Sequence, residues 1–122
     1  MTRINCVPPA ELSDAHLGAE YRELPRVFGL VRAAAARGER PTDARNPAVY
    51  RLGPGHVRFF YARLGWLLLR HAAIVSEGHG RGRVLRFPAP PAHSIPPEWF
   101  GAWTPDAPAL ALNRARIKER TK

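Results

Sequence analysis

One segment of the 122-residue chain, Ser13 to Arg37, constrains the fold more than any other. Its apolar residues recur at steps of four, three, four and three, which is the spacing of one face of an α-helix. Ser13 suits the N-cap position and Gly38 suits the C-terminal stop, while Pro25 predicts a kink between them. The pattern therefore predicts a long amphipathic helix. Its buried face would carry Leu17, Tyr21, Leu24, Phe28 and Val31.

The opposite face of this predicted helix is polar and charged. Projected at about 100° per residue, Arg22, Arg26, Glu23 and His16 all lie away from the apolar face. An ordinary solvated face, whose charges pair at little energetic benefit, would have this composition. A nucleic-acid surface is the second interpretation, although a carboxylate there repels phosphate. Glu23 would be useful to an enzyme that develops positive charge on a sugar carbon.

The remainder of the chain predicts two further helices joined by irregular segments. Residues 40–54 carry Pro and Gly at turn positions and are expected to form a loop. A second helix is expected within residues 57–75, although VRFFY at 57–61 could also be extended before the helix begins. A Gly-, Arg- and Pro-rich crossover over 78–100 and a third helix over about 105–120 are expected to follow. The predicted fold is all-α, a single compact three-helix domain with long irregular connections that spans residues 1–122.

The charge of the chain favours a polyanionic partner. Nineteen Lys and Arg residues against ten Asp and Glu residues give a formal net charge of +9. Each phosphate that such a cation neutralises releases condensed counterions. Arg116 and Arg120, four residues apart, would give the third helix a basic face as well, so two basic faces could form a cleft for a nucleic-acid backbone. An inert basic surface is the alternative.

Other functional classes find no support in the sequence. No apolar run approaches the roughly 18 residues needed to span a bilayer, and the first residues lack the apolar core of a signal peptide. We therefore expect no membrane partner and a cytoplasmic protein, associated with the nucleoid or, if viral, in the host cytoplasm. The single cysteine, Cys6, excludes an internal disulfide. The scattered histidines show no ligand spacing, so we expect no metal and no other cofactor.

Ordinary nucleophiles are scarce in this sequence. No Ser-His-Asp order and no carboxylate pair suited to glycosidases stands out, and Lys118 and Lys122 lie near the C-terminus. If Met1 is removed, Thr2 presents an α-amine whose ordinary pKa of about 7.7–8.0 lies well below the lysine value of about 10.4. A neutral amine can form a Schiff base with a sugar aldehyde carbon. On these residues alone, a threonine at position two is also simply a common start.

Three longer segments carry a resemblance to a known family. They are MTRIN at residues 1–5, AEYRELPRVFG at residues 19–29 and GHVRFFY at residues 55–61. Together they resemble the phage-type pyrimidine-dimer DNA glycosylase/AP lyases, traditionally called endonuclease V of UV repair. The similarity runs nearly collinearly from Met1 to about Arg120. It implies a compact all-α fold whose N-terminal segment passes between helices.

The resemblance also implies catalytic groups and DNA contacts. The nucleophile would be the α-amine of Thr2, and the catalytic carboxylate would be Glu23. The resemblance implies six further residues that bind the DNA backbone or lie near the reacting sugar. These DNA-binding residues are Arg3, His16, Arg22, Arg26, Arg116 and Arg120.

The function implied by the resemblance is base-excision repair of UV damage. The protein, which we expect to be a monomer, would bind double-stranded damaged DNA across the minor groove and flip out the base opposite the lesion. The amine would attack C1′ of the 5′ pyrimidine nucleotide of a cyclobutane dimer, and Glu23 would stabilise the resulting cation. β-Elimination of the Schiff base would then break the strand.

The sequence departs from the family in ways that keep other functions open. It ends at Lys122 without the family's aromatic, tyrosine-rich tail, which leaves the preference for dimers open. GRGR at residues 80–83, together with Arg63 and Arg70, is expected to add DNA contacts. The alternatives are an AP lyase with shifted or weak lesion specificity and a non-catalytic DNA-binding protein on the same scaffold.

Overall fold

Four α-helices and two single 3₁₀ turns form the regular structure of residues 4–86 and 89–120, the part of the chain described by the computed structural model. The helices are α1 (Asp14–Ala36), α2 (His56–Phe59), α3 (Leu64–Gly80) and α4 (Ala107–Arg120). The 3₁₀ turns are Pro9–Glu11 and Pro97–Trp99. These two ranges of residues contain no β-strand, which confirms the predicted all-α class.

Helix α1 has the bounds that its caps predict. The Ser13 Oγ accepts a hydrogen bond from the His16 N–H at 3.1 Å, which satisfies one of the amides left unpaired at the start of a helix. At the other end Gly38 adopts a φ of +89°, which glycine tolerates better than other residues. Pro25 lies within the helix without ending it, and the kink there stays a prediction. All five apolar residues of the predicted stripe are buried.

The second predicted helix, whose start the sequence leaves open, corresponds to two helices in the structure. A one-turn α2 ends before α3 begins because the intervening backbone pairs with a distant segment. The Gly101 N–H donates to the Ala62 carbonyl at 3.1 Å, and the Trp66 N–H donates to the Gly101 carbonyl at 3.2 Å. A Cβ on Gly101 would lie 2.3 Å from the Ala62 oxygen, so this approach requires glycine.

Helix α3 also runs further than predicted, into the segment expected to be crossover. It continues to Gly80, and the turn that follows is closed by a hydrogen bond from the Arg83 N–H to the Gly78 carbonyl at 2.9 Å. Gly82, with a φ of +80°, allows this reversal. The extra turn brings the arginines at its end against the start of α1.

The core lies mainly between α1, α3 and an aromatic cluster around α2. Trp99, Phe28, Phe59 and Phe60 are the largest fully buried side chains of the described residues. Helix α4 packs more lightly, through Ala109 and the half-buried Leu110 and Ile117. None of the helices in the described ranges has the length and apolar character needed to cross a membrane.

Candidate active site

The N-terminal segment Ile4–Val7 is buried and is held by side chains from all four helices. From α2, His56 Nε2 accepts the Ile4 N–H at 3.3 Å. From α4, Asn113 Oδ1 accepts the N–H groups of Cys6 and Val7 at 2.7 and 3.1 Å. Because the backbone groups of this segment are paired by side chains and not by a strand, its position depends on these few residues.

A buried ion pair completes this network. The Glu20 and Arg70 side chains are 0% and 4% exposed, and the guanidinium meets both carboxylate oxygens, at 2.8 and 3.1 Å. Arg70 Nη1 also donates to the Val7 carbonyl at 2.5 Å, and the Asn5 amide donates to Glu20 at 2.9 Å. The Asn113 amide in turn donates to the Asn5 side-chain oxygen at 2.8 Å. Such a pair is tolerated in the interior because its hydrogen bonds are satisfied.

Glu23 lies in a different environment, one turn further along α1. Its side chain is 26% exposed, and both carboxylate oxygens lie 3.3 Å from Arg26 Nη1, whose side chain is 69% exposed. A pair this open contributes little stability. The carboxylate lines a small cavity with Ile4, Val27, Leu30 and Val57, together with Arg26. An acidic group that is partly accessible therefore adjoins the first residue of the described segment.

A second small cavity, of about 40 Å³, lies between α1 and α4. His16 from α1 and both Arg116 and Arg120 from α4 line it, beside Asn5 and Glu20. The His16 Nδ1 is buried without a hydrogen-bond partner, while Arg116 Nε lies 3.3 Å from Glu119. The structure thus brings three of the predicted DNA-binding residues to one cleft between two helices.

Arg22 lies on the other side of the exposed face of α1, with Arg83 as its neighbour. A Cβ placed on Gly18 would lie 3.5 Å from Arg22 Nη1 and 3.3 Å from Arg83 Nη2, so both guanidinium groups lie over this glycine. Arg83 also donates to the Asp14 carbonyl at 2.9 Å. Two positive charges over the same glycine favour an anion nearby.

The expectation that GRGR, Arg63 and Arg70 add DNA contacts is wrong for Arg70 and stays a prediction for the others. Arg70 is buried in the ion pair described above. Arg63 donates to the carbonyl oxygens of Phe59 and Ala48, and burial lowers its pKa. Arg81 is held by Glu77 and Asp14, each at 2.8 to 2.9 Å, and so fastens the end of α3 to the start of α1.

Two predicted site residues, Thr2 and Arg3, lie outside the described residues. The residues described also contain no group of three or more His, Cys, Asp or Glu side chains that could hold a metal ion. The other predicted site residues lie along α1, from His16 to Arg26, and at the C-terminal end of α4.

The comparison with known families decides the affiliation of the chain. A family profile described as pyrimidine dimer DNA glycosylase matches residues 1–89, about three quarters of the sequence. The chain belongs to the pyrimidine dimer DNA glycosylase family. Members of such a family act on damaged DNA, which accounts for the polyanionic partner expected from the net charge.

The matched part of this pyrimidine dimer DNA glycosylase contains α1, the segment Ile4–Val7 and Arg70, and stops before α4. Sequence reasoning missed Glu20, His56 and Asn113. For Glu20 a signal existed, because it lies three residues after Leu17 and four before Leu24, on the apolar stripe of the helix. For the other two no local pattern indicates a role.

Proposed function

We propose that this chain is a bifunctional DNA glycosylase/AP lyase that acts on UV-induced cyclobutane pyrimidine dimers through the α-amine of Thr2. The position of Ile4 carries the proposal, because Ile4 and Glu23 line one cavity. Thr2 is joined to Ile4 through a single residue, and two residues of chain span at most about 7 Å. Removal of Met1 would therefore leave a reactive amine tethered close to an accessible carboxylate.

Other nucleophiles suit the reaction less well. Cys6 is 5% exposed, and burial raises the pKa of its thiol to about 11, so the thiolate is scarce at neutral pH. The chain has two lysines, Lys118 on α4 and Lys122, and both lie near the C-terminus. As a class, α-amines have a larger neutral fraction at pH 7 than lysine side chains.

The proposed reaction has two stages. The neutral amine of Thr2 attacks C1′ of the 5′ pyrimidine nucleotide; the C1′–N bond breaks, and the base leaves with its electron pair but stays joined to its neighbour through the cyclobutane ring. The attacking nitrogen then loses a proton and O4′ gains one as the C1′–O4′ bond breaks, which gives an iminium and an open sugar. Loss of a proton from C2′ drives β-elimination of the 3′ phosphate, and water later releases the enzyme from the imine.

Glu23 stabilises the positive charge that develops during both stages. An ionised carboxylate in a partly enclosed cavity interacts more strongly with a cationic sugar than it would in bulk water. Arg26, 3.3 Å from the carboxylate, offsets its repulsion of the DNA phosphates. Glu23 therefore serves the chemistry, and its neighbour Arg26 serves the binding.

The proposed DNA surface consists of the exposed face of α1 and the basic end of α4. It contacts the backbone through Arg22 and Arg26 on one helix and Arg116 and Arg120 on the other, with Arg3 and His16 near the reacting sugar. The enzyme approaches from the minor groove, kinks the duplex and flips the base opposite the lesion, at a cost of a few kcal/mol that a weakly paired damaged step reduces.

Replacing Arg22 with alanine should weaken DNA binding and make it less sensitive to salt. The plot of log K against log salt should lose about 0.9 of its slope for each phosphate contact removed. Binding titrations between 50 and 200 mM salt would measure this. Arg40→Ala is the matched control, since Arg40 is exposed, pairs with Glu98 and lies beyond the C-terminal end of α1. Equal slopes for both variants would show that Arg22 does not touch the backbone.

Borohydride trapping tests the proposed function directly. The protein, with its N-terminus mapped by intact mass, is incubated with duplex DNA that contains either a cyclobutane dimer or an abasic site, and the imine is reduced. We expect a covalent adduct with both substrates. An adduct with abasic DNA alone would indicate an AP lyase with weak lesion specificity. DNA binding without any adduct would indicate a non-catalytic DNA-binding protein.

A further inference from the structure

His56 is a buried histidine whose two ring nitrogens are both engaged by backbone groups. The side chain is 2% exposed at the start of α2. Its Nδ1 lies 2.8 Å from the Arg51 carbonyl oxygen, and its Nε2 accepts the Ile4 N–H at 3.3 Å. A carbonyl oxygen can only accept and an amide N–H can only donate, so the ring carries its proton on Nδ1 and none on Nε2. This hydrogen-bond pattern requires the neutral imidazole.

The surroundings of His56 favour that neutral form. The rings of Tyr50 and Phe60 pack edge-on against it, with centroids 5.7 and 5.5 Å away. Burial among these rings lowers the pKa of His56 and outweighs the hydrogen bonds with Arg51 and Ile4, which raise it. The positive charge of Arg116 on α4 also lowers this pKa. Burial also raises the pKa of the neighbouring Tyr50 hydroxyl, which therefore stays neutral. Arg51 is also a charged residue near the ring, and its backbone carbonyl accepts the hydrogen bond from His56.

We propose that His56 is a positioning residue for the reacting amine, because it fixes the Ile4 N–H, the first described backbone amide after Thr2. The proposal rests on the proposed function and extends it to a residue that is not among the predicted site residues. Asn5, Cys6 and Val7 are anchored independently, through Glu20, Asn113 and Arg70. Loss of the His56 contact would therefore leave residues 5–7 anchored and release only Ile4. A misplacement of about 1 Å at a reacting group can lower a rate by roughly 10²-fold.

Two substitutions separate positioning from packing. His56→Phe keeps an aromatic ring among aromatic neighbours but removes the acceptor for the Ile4 N–H. We expect single-turnover cleavage of dimer DNA to fall by roughly 10²-fold, with the Kd for that DNA and the melting temperature changed far less. His56→Gln offers an amide oxygen to Ile4 and an amide N–H to Arg51, so it should restore the rate to within several-fold of wild type.

The pH profile supplies a readout that a packing role would not change. Below the pKa of His56, which burial places under the ordinary value of about 6.5, the protonated Nε2 can no longer accept the Ile4 N–H. The wild-type rate should then fall faster toward acid than the rate of His56→Gln, which has no titrating ring. Because every other titrating group is common to both proteins, the ratio of the two rates isolates His56.

The matched control is His71→Phe. His71 is also buried, at 6% exposure, and stacks on Tyr21, but no hydrogen bond joins it to the segment Ile4–Val7 among the described residues. Wild-type cleavage by His56→Phe, or a wild-type to His56→Gln ratio that stays constant with pH, would overturn the positioning role. If the wild-type protein forms no borohydride adduct at all, the proposed function fails first, so the two failures are distinguishable.

Discussion

Glu23→Gln should reduce single-turnover cleavage of dimer DNA by about 10²–10³-fold or more, while DNA binding stays equal or becomes tighter. The rate falls because the amide cannot stabilise the cationic sugar and iminium as a carboxylate does. Binding is retained because the phosphate-repelling charge is gone and Arg26 remains. The fold should be preserved, since the pair that is lost joins a 26% exposed carboxylate to a 69% exposed arginine.

The control for this variant is Glu98→Gln, which neutralises another accessible carboxylate, paired with Arg40 and located on the second 3₁₀ turn. Rapid-quench cleavage assays and equilibrium binding on the same DNA would measure both effects. Wild-type turnover by Glu23→Gln would remove the carboxylate from the mechanism. A loss of cleavage matched by an equal loss of binding would instead assign Glu23 a binding role.

Arg70→Met should lower the free energy of unfolding by about 3–5 kcal/mol. The change removes one member of a fully desolvated pair and leaves the Glu20 carboxylate buried without its cation. The Val7 carbonyl would also lose its hydrogen bond from Arg70. Urea unfolding followed by circular dichroism would give the difference, provided that the transition stays two-state.

Two further variants define what this loss means. Arg40→Met disrupts the exposed pair with Glu98, whose side chains are 69% and 38% accessible, and should cost less than about 1 kcal/mol. The double variant Glu20→Gln/Arg70→Met should recover part of the stability, because the unpaired buried charge is then absent. A single variant Arg70→Met as stable as Arg40→Met would contradict the account of the N-terminal anchor.

Local sequence patterns were sufficient to predict α1. Its apolar spacing, its Ser13 cap and its Gly38 stop all concern residues close together in the chain, and the three signals agree. The break between α2 and α3 could not be predicted in this way. It depends on the backbone of Ala62 and Trp66 pairing with Gly101, almost forty residues away, and nothing in the local helical pattern records that contact.

The same distinction holds for the candidate site. Glu20 and Glu23 are both glutamates of α1, and the sequence pattern marks Glu23 because it lies on the charged face. The structure adds what separates them: Glu20 is enclosed and neutralised by Arg70, fifty residues away, whereas Glu23 is accessible and beside Ile4. The sequence does not distinguish Arg70 from the arginines that lie on the surface, because its partner, Glu20, is distant in sequence.

The most direct test of the mechanism is to locate the covalent bond in the borohydride-reduced adduct. The adduct formed with dimer DNA would be digested and mapped by mass spectrometry, for the wild type and for the variant Lys118→Arg/Lys122→Arg, which lacks both lysines of the chain. We expect the sugar remnant on the α-nitrogen of Thr2 in both proteins, and no adduct once that nitrogen is acetylated. An adduct on Lys118, or undiminished trapping by the acetylated protein, would contradict the account.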